Sequence, residues 1–197
     1  MLSLLFTSPF AFIVVFGGII LAIGIHEAAH CYMADYLGDP TPAAAGRKTL
    51  NPLAHLDPLG TLMILVTGGF GWGKPTPFDP YNLRNIKRDS ALISVAGAAS
   101  NFLLALVLSA PYIVLNIFHQ ITPDIFFVYR QFISVIIFLN LAIGTFNLIP
   151  IHPLDGFKVL GGLLPKNWYA DFMQMERYGI FILILLLLTG AIGKIIF

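Results

Sequence analysis

Apolar residues run through this chain in long unbroken stretches, not in the alternating or one-sided patterns of a water-soluble fold. From about residue 10 to 37 the chain is apolar and uncharged until His26, and Gly38-Asp39-Pro40 supplies a stop signal. Three further runs, about 89–118, 126–150 and 178–196, are long enough to cross a bilayer, which takes about 20 residues, the last only barely. Pro150 and Pro153 break the third of the four near its end, where Asp155 follows. The stretch from about 50 to 80 is different in kind, rich in Gly and Pro. Its apolar part, 59–70, is too short for a comfortable span and reads as re-entrant or interfacial. Its Thr and Val content and the glycines after it favour extended structure. The pattern predicts an all-α membrane protein. Residues 1–197 form a single domain with about four transmembrane helices and a re-entrant, partly extended loop after the first.

Composition agrees, since 57% of residues are hydrophobic and 11% charged, against about 25% charged in an ordinary soluble domain. The lipid bilayer is therefore a partner. A net charge of +1 gives no reason to expect nucleic acid as another. The single cysteine, Cys31, excludes an intramolecular disulfide and reads as a small apolar residue on its helix. No Lys or Arg precedes Arg47, so the first apolar run lacks the basic flank of a signal peptide and is expected to be a structural helix.

Charge also predicts orientation. If 59–70 does not cross, Arg47, Lys48, Lys74, Arg84, Lys87, Arg88, Lys158, Lys166 and Arg177 share one side, leaving only Arg130 and Lys194 on the other. The positive-inside rule makes the crowded side cytosolic and puts both termini outside. The same choice brings His26 and Asp155 to one face of the membrane, which a crossing of 59–70 would forbid.

Candidate chemistry centres on His26-Glu27-Ala28-Ala29-His30. On a helix the two histidines stand one above the other, so both imidazoles can reach one metal ion with Glu27 beside it. A catalytic zinc site uses three protein ligands, so this H-E-x-x-H pattern leaves one to be found. Five residues can match by chance. His and Glu at membrane depth are costly, however, and mark a functional site. Asp155 follows a proline-opened helix and can supply the third ligand. Position alone leaves open whether it does so or caps the helix beginning near Gly156.

The helix motif, together with Asn147-Leu148-Ile149-Pro150-Ile151-His152-Pro153-Leu154-Asp155-Gly156, resembles the paired signature of the site-2 protease family of intramembrane zinc metalloproteases. The loop Gly69-Phe70-Gly71-Trp72-Gly73-Lys74-Pro75 is also similar to that family's, and the likeness covers about residues 20–164. The resemblance implies one zinc per chain on His26, His30 and Asp155, with Glu27 as general base. It implies that Asn147, eight residues before the aspartate, helps to hold substrate or the developing oxyanion. Asp155 is preferred over the nearby His152 on this resemblance alone. Without PDZ or CBS domains the chain looks like a compact member.

The implied activity is hydrolysis of peptide bonds within or near transmembrane helices of membrane-protein substrates. A substrate helix has its backbone groups paired internally and must be unwound locally before cleavage. Gly69, Phe70, Gly71 and Trp72 are candidates for an edge that receives the unwound segment by strand addition, or for a loop that plugs the gap between helices. His55 is a candidate group near the metal or an ordinary hydrogen-bonded loop histidine. Asn101, in the small-residue stretch Gly97-Ala98-Ala99-Ser100-Asn101, is a candidate support for the site or a bond between helices. Two rival functions are a metal-ion transporter and a proteolytically inert binder of membrane helices. The transporter lacks the expected paired broken helices, and intact Glu27 argues against the inert relative.

Overall fold

The computed structural model describes residues 1–68 and 70–190, and among these every regular element is helical. A short α1 (Leu2–Thr7) leads into α2 (Pro9–Tyr36), which has Pro at its first position and ends at Leu37. Gly38, at φ +105°, takes the left-handed conformation that closes a helix, as the stop signal predicts. A single turn, α3 (Thr41–Ala44), follows. Asp39 gathers the next loop, accepting from the Thr41 N–H and hydroxyl at 3.1 and 2.5 Å, from the Asp79 N–H at 2.8 Å and from Asn82 Nδ2 at 2.7 Å.

The apolar stretch after residue 57 departs from expectation. It forms a helix, α4 (Pro58–Thr67), instead of extended chain. Its ends explain this. The Asp57 carboxylate accepts from the Gly60 N–H at 2.8 Å, Pro58 occupies the first helical position, and Gly68 at φ +88° closes the far end. These caps outweigh the β-preference of Thr61, Val66 and Thr67, which is a weak, context-dependent term. Ten residues rise about 15 Å, half the thickness of the hydrocarbon core, so α4 is too short to cross. Beyond it Gly73 forms an isolated antiparallel bridge with Leu56, and among the described residues there is no strand.

α5 (Ile86–Ile117) starts on Asn85, whose side chain accepts from the Arg88 N–H at 3.1 Å. α6 (Pro123–Val128) passes through one π-helical turn, Tyr129–Ile133, into α7 (Ser134–Asn147), making one 25-residue helical run. α8 (Asp155–Leu163), α9 (Lys166–Met173) and α10 (Glu176–Leu188) complete the described chain. Three runs, Pro9–Tyr36, Ile86–Ile117 and Pro123–Asn147, are long and apolar enough to cross a membrane. The chain is a membrane protein. In the fourth predicted span, 178–196, the described helix α10 is 13 residues long and ends at Leu188, fewer than the about 20 residues a crossing takes, and residues 191–196 lie outside the described residues.

α5 is the centre of the fold, packed against α2, α7 and α8. Apart from Ile93, its buried face is built from small or polar residues, among them Ser90, Ser94, Gly97, Ala98, Asn101 and Ala105, which let the neighbouring backbones approach. Outside this face, Leu103, Leu106, Val107 and Val114 stand exposed, as side chains facing lipid do. Two helical runs long and apolar enough to cross a membrane separate the end of α2 from the start of α8, and Asp155 at the start of α8 lies at the level of His26 on α2.

Candidate metal centre

His26 and His30 share the inner face of α2 and are nearly buried, at 5% and 7% exposure. Their ring centroids lie 4.6 Å apart with the planes at 88°. The ligand atoms of His26, Glu27 and His30 fall within 4.8 Å of one another, close enough to hold a metal ion. Asp155 reaches the same point from α8. Its Oδ2 lies 2.9 Å from His26 Nε2 and 3.2 Å from His30 Nε2. Although Asp155 is the first residue of α8, the cap position is Leu154, and no side-chain cap hydrogen bond forms there. Of the two uses open to Asp155, the geometry therefore shows the turn toward the histidines.

The remaining ring nitrogens fix which atoms face inward. His30 Nδ1 donates to the Ile93 carbonyl at 2.7 Å. His26 Nδ1 lies 2.7 Å from Asn101 Oδ1, and that amide cannot be flipped. Its Nδ2 donates to the Ala22 carbonyl at 3.0 Å and to Asn140 Oδ1 at 2.9 Å, while Asn140 Nδ2 donates to Ile136 O at 2.9 Å. Both Nδ1 atoms are thus donors. Neutral imidazoles with hydrogen on Nδ1 present lone pairs at Nε2, so two nitrogens and a carboxylate oxygen converge with no hydrogen between them. A metal ion relieves that arrangement, and without one a proton on Nε2 shared with Asp155 does so. Two ligand atoms each about 2.0–2.1 Å from a tetrahedral zinc stand about 3.3 Å apart, close to the spacing found between Asp155 and either histidine.

Gly97 makes the room. A Cβ there would lie 2.4 Å from His30 Cε1 and 2.7 Å from His26 Cε1, so no side chain fits under the two rings.

Glu27 is held from another direction. Its Oε2 accepts from both the N–H and the hydroxyl of Thr76, each at 2.9 Å. Thr76 escapes a reading of the sequence, because nothing in Lys74-Pro75-Thr76-Pro77 announces a partner on a helix 49 residues earlier. Asn140 escapes it too, as a polar residue inside an apolar run whose role appears only when α7 meets α5. Asn101, by contrast, stands against His26 as already described.

Other candidates sit elsewhere. His55 is fully buried, with Nε2 2.9 Å from the Thr49 carbonyl and Nδ1 3.5 Å from Arg47 Nη2, so its ring is occupied within its own loop. His152 Nδ1 lies 3.5 Å from Glu176 Oε1, at the start of α10. Asn147 Nδ2 donates to the Ile143 carbonyl of its own helix at 2.9 Å, which uses one of its two amide hydrogens. Phe70 and Trp72 are 42% and 40% exposed, edge to face at 6.4 Å. Gly71 lies against α4, where a Cβ would be 2.3 Å from the Gly60 carbonyl oxygen. Gly69 lies outside the described residues.

Among known proteins, the chain is 38% identical over 180 residues to YwhC of Bacillus subtilis (strain 168), covering 89% of this chain and 80% of that protein. It is 27% identical over 187 residues to Rip2 of Mycolicibacterium smegmatis, covering 93% and 70%. Rip2 of Mycobacterium tuberculosis (strain H37Rv) is 26% identical over 188 residues, with 92% and 69% covered. The names of all three assign them, provisionally, to the zinc metalloproteases. No family model and no solved structure matches the chain.

Proposed function

Because the chain belongs to the zinc metalloprotease family of YwhC and Rip2, we propose that it is an intramembrane protease of the site-2 type, cleaving peptide bonds within or near transmembrane helices of other membrane proteins. The observation that carries this reading is the convergence of His26 Nε2, His30 Nε2 and Asp155 Oδ2 beside Glu27, in a bundle whose long helices are apolar enough to cross a membrane. In this reading those three residues hold one zinc, and their donor set suits it. When bound, zinc supplies Lewis-acid polarisation of a carbonyl and makes water a nucleophile near neutral pH.

The chain's own residues do the rest. Glu27 accepts the proton of the attacking water and later returns it to the leaving amine, which needs a carboxylate next to the metal but not spent on it. Asn101 and the Ile93 carbonyl hold the imidazoles in the tautomer that offers Nε2 inward, as partners behind metal ligands do. Asn147 keeps one amide hydrogen free for substrate or a developing oxyanion. Segment 70–73 receives the unwound substrate, with Phe70 and Trp72 as its apolar contacts. The concentration of Lys and Arg on the side of the site orients it toward the cytosol, with both termini on the other side.

The test is cleavage of a single-span substrate by the purified chain in vesicles. Cleavage that stops with chelator, returns with zinc and is lost in Glu27→Gln is expected. A Glu27→Gln variant as active as the unaltered chain contradicts the proposal.

A further inference from the structure

The loop that follows α4 returns to α2 and ends on the carboxylate just given the role of base. Thr76 makes every side-chain hydrogen bond that Glu27 has among the described residues. Its N–H and its hydroxyl both lie 2.9 Å from Oε2, and the hydroxyl is also 3.0 Å from the Glu27 carbonyl oxygen. A hydroxyl has a single hydrogen to give. The ionised carboxylate is the stronger acceptor, and the carbonyl already receives a helical N–H, so the hydrogen belongs to Oε2. The Cys31 thiol, 3.3 Å from Thr76 Oγ1, can then donate to the hydroxyl's free lone pair. Two donors thus occupy one carboxylate oxygen and set the plane of the group. The other oxygen, Oε1, keeps its lone pairs.

The loop is itself held from behind. The buried Arg47 donates through Nη2 to the Lys74 carbonyl at 2.6 Å, and the Lys74 N–H donates to the His55 carbonyl at 2.8 Å. Gly73, bridged to Leu56, is seated so tightly that a Cβ would lie 2.6 Å from Ile23 and 3.4 Å from Glu27 Cγ. The arrangement has the form of a clamp. The 47–56 loop fixes residues 73 and 74, and two residues later Thr76 fixes the glutamate.

We propose that Thr76 is a positioning residue for Glu27: its paired donors on Oε2 fix the carboxylate so that Oε1 is the oxygen that handles the proton. The proposal rests on the reading of Glu27 as the base and adds a residue that acts through it. Misplacing a reacting group by an ångström costs up to about 100-fold, and here the backbone donor survives any side-chain change, so a smaller loss follows.

The test compares Thr76→Val, which keeps shape but not the hydroxyl, with Thr76→Ser, which keeps the hydroxyl. In Thr76→Val, kcat is expected to fall roughly tenfold with KM within about twofold and zinc content unchanged, and Thr76→Ser is expected to restore kcat to within about twofold. An unchanged kcat in Thr76→Val overturns the proposal, as does a loss that Thr76→Ser fails to rescue. A second measurement needs no substrate. Thermal midpoints of Thr76→Val, Glu27→Ala and the double variant are expected to be non-additive, the pair losing less than the sum. Additive shifts overturn the Thr76 assignment whatever the activity. Absence of cleavage by the unaltered chain counts against the protease reading alone.

Discussion

Asp155 Oδ2 lies 2.9 Å from His26 Nε2, although 129 residues separate the two in sequence. That contact joins the start of α8 to the later part of α2 and depends on both helices meeting α5. It also places the start of α8 at the level of the later part of α2, with two helical runs long and apolar enough to cross a membrane between them.

The support behind His26 gives a first prediction. Asn101 is fully buried and joins His26, Ala22 and Asn140 in one network. Asn101→Ala removes the acceptor for Nδ1–H and the donor to Asn140 Oδ1, while the Ala22 carbonyl keeps its helical N–H. Zinc affinity is expected to fall about 10- to 100-fold, read by competition with a chromophoric chelator. Unchanged affinity would show that the tautomer needs no such partner.

Gly97 gives a sharper one. A methyl group there would stand 2.5 Å from His30 Nε2, and neither the buried ring nor the helix backbone behind it has space to retreat. Gly97→Ala is expected to lose bound zinc by elemental analysis. Gly17, where a Cβ meets nothing within 4 Å, is the control, and Gly17→Ala is expected to keep it.

Asp39 predicts a pH dependence. Burial alone would raise its carboxyl, but hydrogen bonds from the Thr41 and Asn82 side chains and from the Asp79 and Thr41 N–H groups outweigh burial and hold it below the usual carboxylate range. A depressed native pKa means the group stabilises the fold fully above its unfolded value of about 3.9, and that this stabilisation is lost as pH falls through the native value. Asp39→Asn is expected to lower the thermal midpoint at pH 7 by several degrees, since hydrogen bonds to a charged group are worth about 1.5–3 kcal/mol each. The gap from the unaltered chain should close on going below about pH 4. A gap constant with pH would mean the charge contributes nothing.

Substrate contact is tested at Trp72 rather than Gly71, because Gly71 has no room for a side chain against α4 and its replacement would disturb packing. Trp72→Ala removes an exposed apolar surface and is expected to raise KM about tenfold while leaving zinc content unchanged. An unaffected KM removes Trp72 from the binding edge.

Much of this is legible in the sequence, for identifiable reasons. The histidine pair declares itself because four residues on a helix bring two side chains to one face. The long spans declare themselves by length and apolarity, and α2, α5 and the run from α6 through α7 fall near the ranges their patterns predict. Asp155 is visible as a residue, though its partnership with the histidines depends on packing that position alone does not reveal. In the 59–70 stretch the Thr and Val content points to extended chain, but Asp57-Pro58 at one end and Gly68 at the other cap a helix. Gly97, Asn140 and Thr76 stay hidden for a common reason. Each works by touching α2 or a residue on it, or by bracing one that does, and no periodicity within its own segment records that contact.

The measurement that bears most directly on the metal centre is the zinc content of the purified chain beside Asp155→Ala and His152→Ala. Near-stoichiometric zinc in the unaltered chain, lost in Asp155→Ala and kept in His152→Ala, is the expected result. Zinc retained by Asp155→Ala and lost from His152→Ala would contradict the account, since His152 faces Glu176 and Asp155 faces both histidines.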